Sequence, residues 1–200
     1  MNIAVFVSGN GTNLEAIIDA VSSGKIKAKI RLVVSDNKNA YALTKAKNAG
    51  IETFVLSPKG FSSREDYDKE IMKELEKKDI GLIVLAGFMR LVSTPFIKKY
   101  KNKILNVHPA LLPSFKGTHS IKDAFLYGVK KTGVTVHFVD AKLDHGPIIL
   151  QESVKVEERD TLETLEAKIH KIEHRLYPEA IRLFTEGKLK VENRKVKIES

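Results

Sequence analysis

Five short apolar runs lie within the first 108 residues, at 2–8, 30–34, 53–56, 82–86 and 104–108, the last interrupted by Asn106 and His108. Runs without polar alternation are expected of strands buried on both faces, as in parallel sheets. The stretches between them change to helical spacing. Leu14, Ile17, Ile18 and Val21 share one face over residues 13–21, and residues 41–49 form a second pattern that stops at Gly50. Ser63 and Asp66 make an S-x-x-D helix start, with Tyr67, Ile71 and Leu75 pointing inward as far as Lys77. Strand alternating with helix predicts an α/β fold, a Rossmann-like, mostly parallel sheet flanked by helices.

The pattern then changes. Residues 133–139 and 148–156 read as two strands joined by DAKLDHGP with no helix between them, so they should pair antiparallel or lie at an edge and make the sheet mixed. A long helix is expected from Thr161, broken or kinked at Pro178 before a last helical segment to about Phe184. The tail, about 188–200, is expected to form a short hairpin or to fray. With 200 residues, no repeat and no linker, one domain over 1–200 is expected.

Composition excludes several classes. There are no cysteines, hence neither disulfides nor thiolate metal sites. No apolar run approaches the roughly 20 residues of a membrane span. The N-terminus enters NIAVFVS without a basic region or cleavage site, so no signal peptide and a cytoplasmic location are expected. The net charge of +9 admits a nucleic-acid-binding reading. The lysines are scattered, however, and form no stripe interleaved with aromatics. A solvated, lysine-rich surface is the preferred reading, with no nucleic-acid or membrane partner.

SGNGTN, residues 8–13, joins the first strand to the first helix. Gly9 and Gly11 permit close backbone approach, and free N–H groups at a helix start suit an anion. Gly9, Gly11 and Asp36 imitate a dinucleotide fingerprint, but Leu14 stands where its third glycine belongs. A monophosphate cradle is preferred, and Asp36 reads as turn chemistry within SDNKN.

Asn106 and His108 lie two residues apart on a strand and so share a face. Ligands of open parallel sheets bind beyond the carboxyl ends of the strands. An amide and an imidazolium there can donate to one developing oxyanion. GFMRLVS, residues 87–93, is an apolar loop that is either the wall of a flat ligand or packing against the core. DAKLDHG offers Asp140 and Asp144, one of which could face His108 and stabilise its charged ring; spacing does not choose between them. His170 and Glu173 stand side by side at the edge of the long helix's apolar stripe, where surface pairing is the default. His137 reads as a core or supporting residue and His145 as a turn residue, while His119 and His174 have no evident partner. No histidine set has metal-ligand spacing, so no metal is expected.

Taken together, MNIAVFVSGNGTNL, VLAGFMRLVS, LNVHPALLPSFKG, LDHGPIILQ and HKIEH resemble the phosphoribosylglycinamide formyltransferase family over nearly the whole chain. The resemblance implies the formyltransferase fold and transfer of formyl from 10-formyltetrahydrofolate, the co-substrate, to the amine of phosphoribosylglycinamide in purine synthesis. It implies catalytic roles for Asn106, His108 and Asp144. It implies that Gly11, Thr12 and Asn13 bind the ribose phosphate and that His170, Lys171, Ile172 and Glu173 bind the sugar and glycinamide end. Folate is implied against Arg64, Met89, Arg90, Leu91, Val92, Asn106 and the loop Asp140, Ala141, Lys142, Leu143, Asp144. A cis Leu112–Pro113 bond and a monomer or homodimer are implied as well. His145 stands where many relatives have glycine, which bears on loop flexibility.

Methionyl-tRNA formyltransferase would need a further C-terminal domain, and formyltetrahydrofolate deformylase an N-terminal regulatory one. From other classes, a nucleic-acid-binding module would show steep salt dependence, and a dehydrogenase would bind nicotinamide at SGNGTN.

Overall fold

In the computed structural model, residues 1–199 are described. The elements in order are β1 (Asn2–Val7), α1 (Thr12–Ser22), β2 (Lys29–Ser35), α2 (Tyr41–Asn48), β3 (Thr53–Val55), α3 (Arg64–Lys77), β4 (Leu82–Leu85), α4 (Thr94–Lys99), β5 (Ile104–His108), α5 (Ser120–Tyr127), β6 (Lys131–Phe138), β7 (Ile148–Lys155), α6 (Leu162–Thr185), β8 (Leu189–Glu192) and β9 (Lys195–Ile198). The fold is mixed α/β, with mostly parallel strands flanked by helices. Two compact units divide between Leu105 and Asn106.

In the first unit, β1 pairs in parallel with both β2 and β4, and β2 with β3. Ile3 to Val7 and Leu82 to Val84 have no exposed surface, which is why these strands carry no polar alternation. Helix α3 starts as expected: the Ser63 hydroxyl accepts from the Asp66 N–H at 3.0 Å. Its outer face pairs Lys69, Lys73 and Lys77 with acids three residues earlier, so these charges are balanced in place. Helix α4 was not expected. Its six residues are too few to show a period, although Pro95 in the first turn is a start signal.

In the second unit, β6 and β7 pair antiparallel as expected, with Thr135 opposite Gln151. The tail forms a hairpin, β8 antiparallel to β9, and Lys195 of β9 pairs in parallel with Ile148 of β7. Helix α6 packs on β6 and β7. The expected break at Pro178 is corrected: α6 runs unbroken over Leu162–Thr185. Proline removes one helical N–H. Here the residue is buried with Leu176, Tyr177, Ala180 and Ile181 on the inner stripe, and packing of that stripe outweighs the lost bond. The helix opens on a capping box, Thr161 with Thr164. Helix α5 was also not expected; Leu126 and Tyr127 remain exposed and blur its apolar period.

Candidate active site

In the second unit the polar pair at the end of β5 meets β6 and the loop that follows it. Asn106 is half-buried and His108 buried. The Phe115 carbonyl lies 2.8 Å from His108 Nε2. A carbonyl only accepts, so Nε2 carries the hydrogen. The other ring nitrogen, Nδ1, faces Asp144 Oδ2 at 3.5 Å. Asp144, not Asp140, is therefore the carboxylate beside His108. The same Oδ2 accepts from the Gly117 N–H at 2.8 Å. Asp144 adopts φ 44°, a left-handed conformation that a non-glycine residue holds only when its surroundings fix it.

His137 stands between these groups. Its Nδ1 donates to the Phe138 carbonyl at 2.8 Å, which leaves Nε2 of a neutral ring to accept from Asn106 Nδ2 at 3.3 Å. Burial presses His137 toward that neutral form, below the ordinary histidine pKa, against the pull of the Phe138 carbonyl and Asp144. Asp144 Oδ1 lies 3.9 Å from Nε2, too far for a hydrogen bond. His137 thus fixes the amide of Asn106, a supporting role that its place on a strand beside Thr135 had suggested.

The chain leaves β5 through Pro109 and Pro113, with Leu112–Pro113 cis as the resemblance implied. Thr135 secures this exit. Its hydroxyl donates to Ala110 O at 2.7 Å and accepts from Leu112 N–H at 3.1 Å. Gln151, opposite it on β7, donates to Leu112 O and to the Thr135 hydroxyl. Sequence reasoning missed Gln151; an amide within the strand-like IILQ was the available signal.

The 140–146 loop is tightly closed. Asp140 Oδ1 accepts from Lys142 N–H at 3.0 Å, and its Oδ2 takes His145 Nδ1 at 2.7 Å. Burial works to raise the Asp140 carboxyl, but these hydrogen bonds and the positive charge of Arg194 outweigh it and hold it below the usual range. Ala141, Lys142 and Leu143 are exposed. A β-carbon on Gly146 would lie 1.8 Å from the Phe138 carbonyl oxygen, so only glycine fits that return.

Elsewhere in this unit, His170 Nδ1 bonds Glu173 at 2.9 Å. Glu173 is buried whereas the His170 side chain is 47% exposed. The Glu173 hydrogen bond, opposed by desolvation, holds His170 above its ordinary pKa. Ile172 is half-buried and Lys171 exposed. His119 takes a hydrogen bond from or gives one to the Thr118 hydroxyl at 3.1 Å.

The first unit holds the glycine loop and residues 87–93. Gly11 precedes α1 with φ 71°, and a β-carbon there would meet Ala42 at 2.6 Å. Its absence lets α2 approach the loop, whose Gly9 carbonyl accepts from Ala42 N–H. Thr12 and Asn13 form the first turn of α1, where N–H groups lack helical acceptors. The Ser8 hydroxyl donates to Asp36 at 2.7 Å and accepts from Met89 N–H at 2.9 Å, so Asp36 orders loops. The two readings of residues 87–93 divide by residue. Phe88 packs edge-on against Phe6 and Val92 is buried, while Met89 and Leu91 point outward. Arg90 lies over the Tyr67 ring at 4.9 Å, and buried Asp68 accepts from Ser93 N–H at 2.6 Å. Arg64 is exposed at the start of α3. Among the described residues there is no group of three or more His, Cys, Asp or Glu able to hold a metal, and no helix long and apolar enough to cross a membrane.

A family model of the formyl transferases matches residues 1–181. The chain is 44% identical to the phosphoribosylglycinamide formyltransferase of Escherichia coli K12 across 96% of its length and 90% of that protein. It is 41% identical to the enzyme of the same name from Bacillus subtilis 168, across 90% of its length and 92% of that protein. The crystal structure of glycinamide ribonucleotide transformylase 1 from Symbiobacterium toebii superposes with a TM-score of 0.97 at 46% identity, covering all of this chain and 94% of that one.

Proposed function

The chain belongs to the formyl transferase family, and from that premise we propose that it transfers formyl from 10-formyltetrahydrofolate to the amine of phosphoribosylglycinamide, a step of purine synthesis. Near full-length likeness to two curated enzymes of that name carries the substrate assignment. The cluster of Asn106, His108, His137 and Asp144 supplies the chemistry.

The amine nitrogen attacks the formyl carbon directly, and the formyl oxygen takes up the charge. Two donors receive it: the Asn106 amide, whose orientation His137 sets, and the His108 Nε2–H, which exchanges the Phe115 carbonyl for the substrate oxygen. Asp144 is the counter-ion of the His108 ring in its charged form. As the adduct collapses, the bond from carbon to the folate nitrogen breaks. The proton given up by the attacking amine passes to that nitrogen through Asp144 or a water it orders. No enzyme nucleophile is required.

In this reading Gly11, Thr12 and Asn13 take the ribose phosphate at the N-terminus of α1, the end of a helix that favours an anion. His170 to Glu173 meet the sugar and glycinamide end. Arg64, Met89 to Val92 and Asp140 to Asp144 meet the folate, with Met89, Leu91 and Leu143 offering exposed apolar surface.

A spectrophotometric assay of folate deformylation, with and without phosphoribosylglycinamide, tests the proposal. Turnover that requires the amine and is lost in His108→Ala supports it. Turnover without the amine indicates a hydrolase, and no turnover by folded protein refutes the transferase reading.

A further inference from the structure

We infer that Arg194, in the C-terminal hairpin, is a positioning residue that clasps the 140–146 loop through His145 and thereby holds Asp144 against His108. The inference rests on the proposed transferase reading and adds to it a residue beyond the segment, 1–181, that the family model matches.

Between its tied ends the loop has little to hold it. Ala141, Lys142 and Leu143 project into solvent. Asp144 holds a left-handed backbone conformation, φ 44°, that opening would relax. Ordering such a segment costs conformational entropy, so something must fix its two ends. The hydrogen bond between His145 Nδ1 and Asp140 Oδ2 ties one end to the other. Arg194 then secures His145 from outside the loop. Its Nη2 donates to the His145 carbonyl at 2.8 Å, and its Nη1 donates at 3.0 Å to Nε2, the ring nitrogen left to accept once Nδ1 gives its hydrogen to Asp140. One guanidinium thus engages the backbone and the ring of the residue that follows Asp144.

Arg194 is itself fixed. It is the second residue of the two-residue turn Asn193–Arg194, with Asn193 at φ 55° as tight hairpin turns require. The next residue, Lys195, pairs with Ile148 of β7, the strand onto which the loop returns. The backbone that carries the guanidinium is therefore tied to the strand that carries the loop's exit. An isolated surface ion pair contributes little. Here two directed contacts from a planar fork act on one exposed segment, and their effect falls on that segment's opening rather than on global unfolding. A lysine at 194 could reach the carbonyl but not the ring at the same time. A glycine at 145 would leave the guanidinium one contact and Asp140 none from that position.

The test uses the full chain and Arg194→Ala, Arg194→Lys, His145→Gly, the double variant Arg194→Ala/His145→Gly, and Lys190→Ala as a control on the same hairpin. Hydrogen exchange without ligands is read on peptides spanning 139–147. Arg194→Ala and His145→Gly are each expected to speed exchange there about tenfold, as loss of charge-assisted bonds to one segment would. The double variant should exceed either single change, because His145→Gly leaves Arg194 the residue-145 carbonyl and Arg194→Ala leaves His145 its bond to Asp140; Arg194→Lys should fall between wild type and Arg194→Ala, and Lys190→Ala should match wild type. In steady-state assays Arg194→Ala should raise KM for the formyl folate about five- to tenfold and lower kcat, with KM for the amine substrate unchanged. Unchanged exchange at 139–147 in Arg194→Ala overturns the clasp. Faster exchange spread over the whole chain, or an equal rise in both KM values, also overturns it, because either marks a merely structural hairpin. Loop loosening in a protein that shows no formyl transfer supports the clasp and refutes the transferase reading, so the two fail separately.

Discussion

Gly146→Ala tests the tight return of the 140–146 loop. The new β-carbon would stand 1.8 Å from the Phe138 carbonyl oxygen and 2.8 Å from its carbon, with the Asp140 nitrogen at 3.3 Å. All three are backbone atoms, so no side chain can swing aside. An ordinary carbon–oxygen contact is about 3.3 Å, and the two backbone segments must part by about 1.5 Å. That movement breaks the bond from Phe138 N–H to the Pro147 carbonyl, now 2.9 Å. Overpacking costs about 1–3 kcal/mol and the lost bond about 1 kcal/mol. For a chain of this size the sum lowers Tm by about 5–15 °C. Asp144 lies two residues earlier, and a displacement of about 1 Å in a catalytic group costs on the order of 10²-fold in rate. Thermal unfolding and kcat/KM should both fall, the second more steeply. Gly9→Ala is the stability control: its β-carbon meets nothing within 4 Å, and Tm should stay within about 1 °C. Gly146→Ala with wild-type Tm and kcat/KM would refute the steric argument.

Three further outcomes are expected. Asp144→Asn keeps an acceptor for the Gly117 N–H but no charge beside His108, and should lower kcat about 10²- to 10⁴-fold with little change in urea unfolding; an unchanged kcat removes Asp144 from the chemistry. Because Glu173 holds His170 above its ordinary pKa, the pair's contribution to stability is full below the unfolded value near 6.5 and is lost as pH rises through the folded value. Glu173→Gln should abolish that difference between urea unfolding at pH 6 and at alkaline pH, and a persisting difference sinks the assignment. Asp68→Ala orphans the buried Ser93 N–H and should cost about 1–3 kcal/mol, with faster hydrogen exchange across residues 87–93; protection equal to wild type would show that another acceptor serves Ser93.

The strands were legible because burial on both faces erases polar alternation, and Ile3 to Val7 show it directly. The start of α3 was legible because the Ser63–Asp66 cap is local in sequence. Helices α4 and α5 were hidden, one by brevity and the other by the exposed Leu126 and Tyr127. Pro178 misled because propensity is judged residue by residue, whereas the helix is held by its buried stripe. Within the candidate site, Asn106 and His108 could be paired from the two-residue period of a strand. Spacing could not choose Asp144 over Asp140; the backbone turn at Asp144 decides it. The link from Arg194 to His145 spans 49 positions and joins a hairpin turn to a loop, a contact that no local pattern encodes.

The carbonyl of Phe115 on His108 Nε2 bears on how selectively the site spends its donor. At rest the imidazole already bonds a neutral carbonyl oxygen at 2.8 Å. When the formyl oxygen of the proposed substrate replaces it, one neutral acceptor is exchanged for another, and the exchange contributes almost nothing to ground-state affinity. The balance changes only when that oxygen becomes an anion, because a charged acceptor binds the donor about twice as strongly as a neutral one. An internal placeholder of this kind subtracts the substrate's share from the interaction and leaves the transition state's share intact, which is the condition for binding energy to raise kcat rather than lower KM.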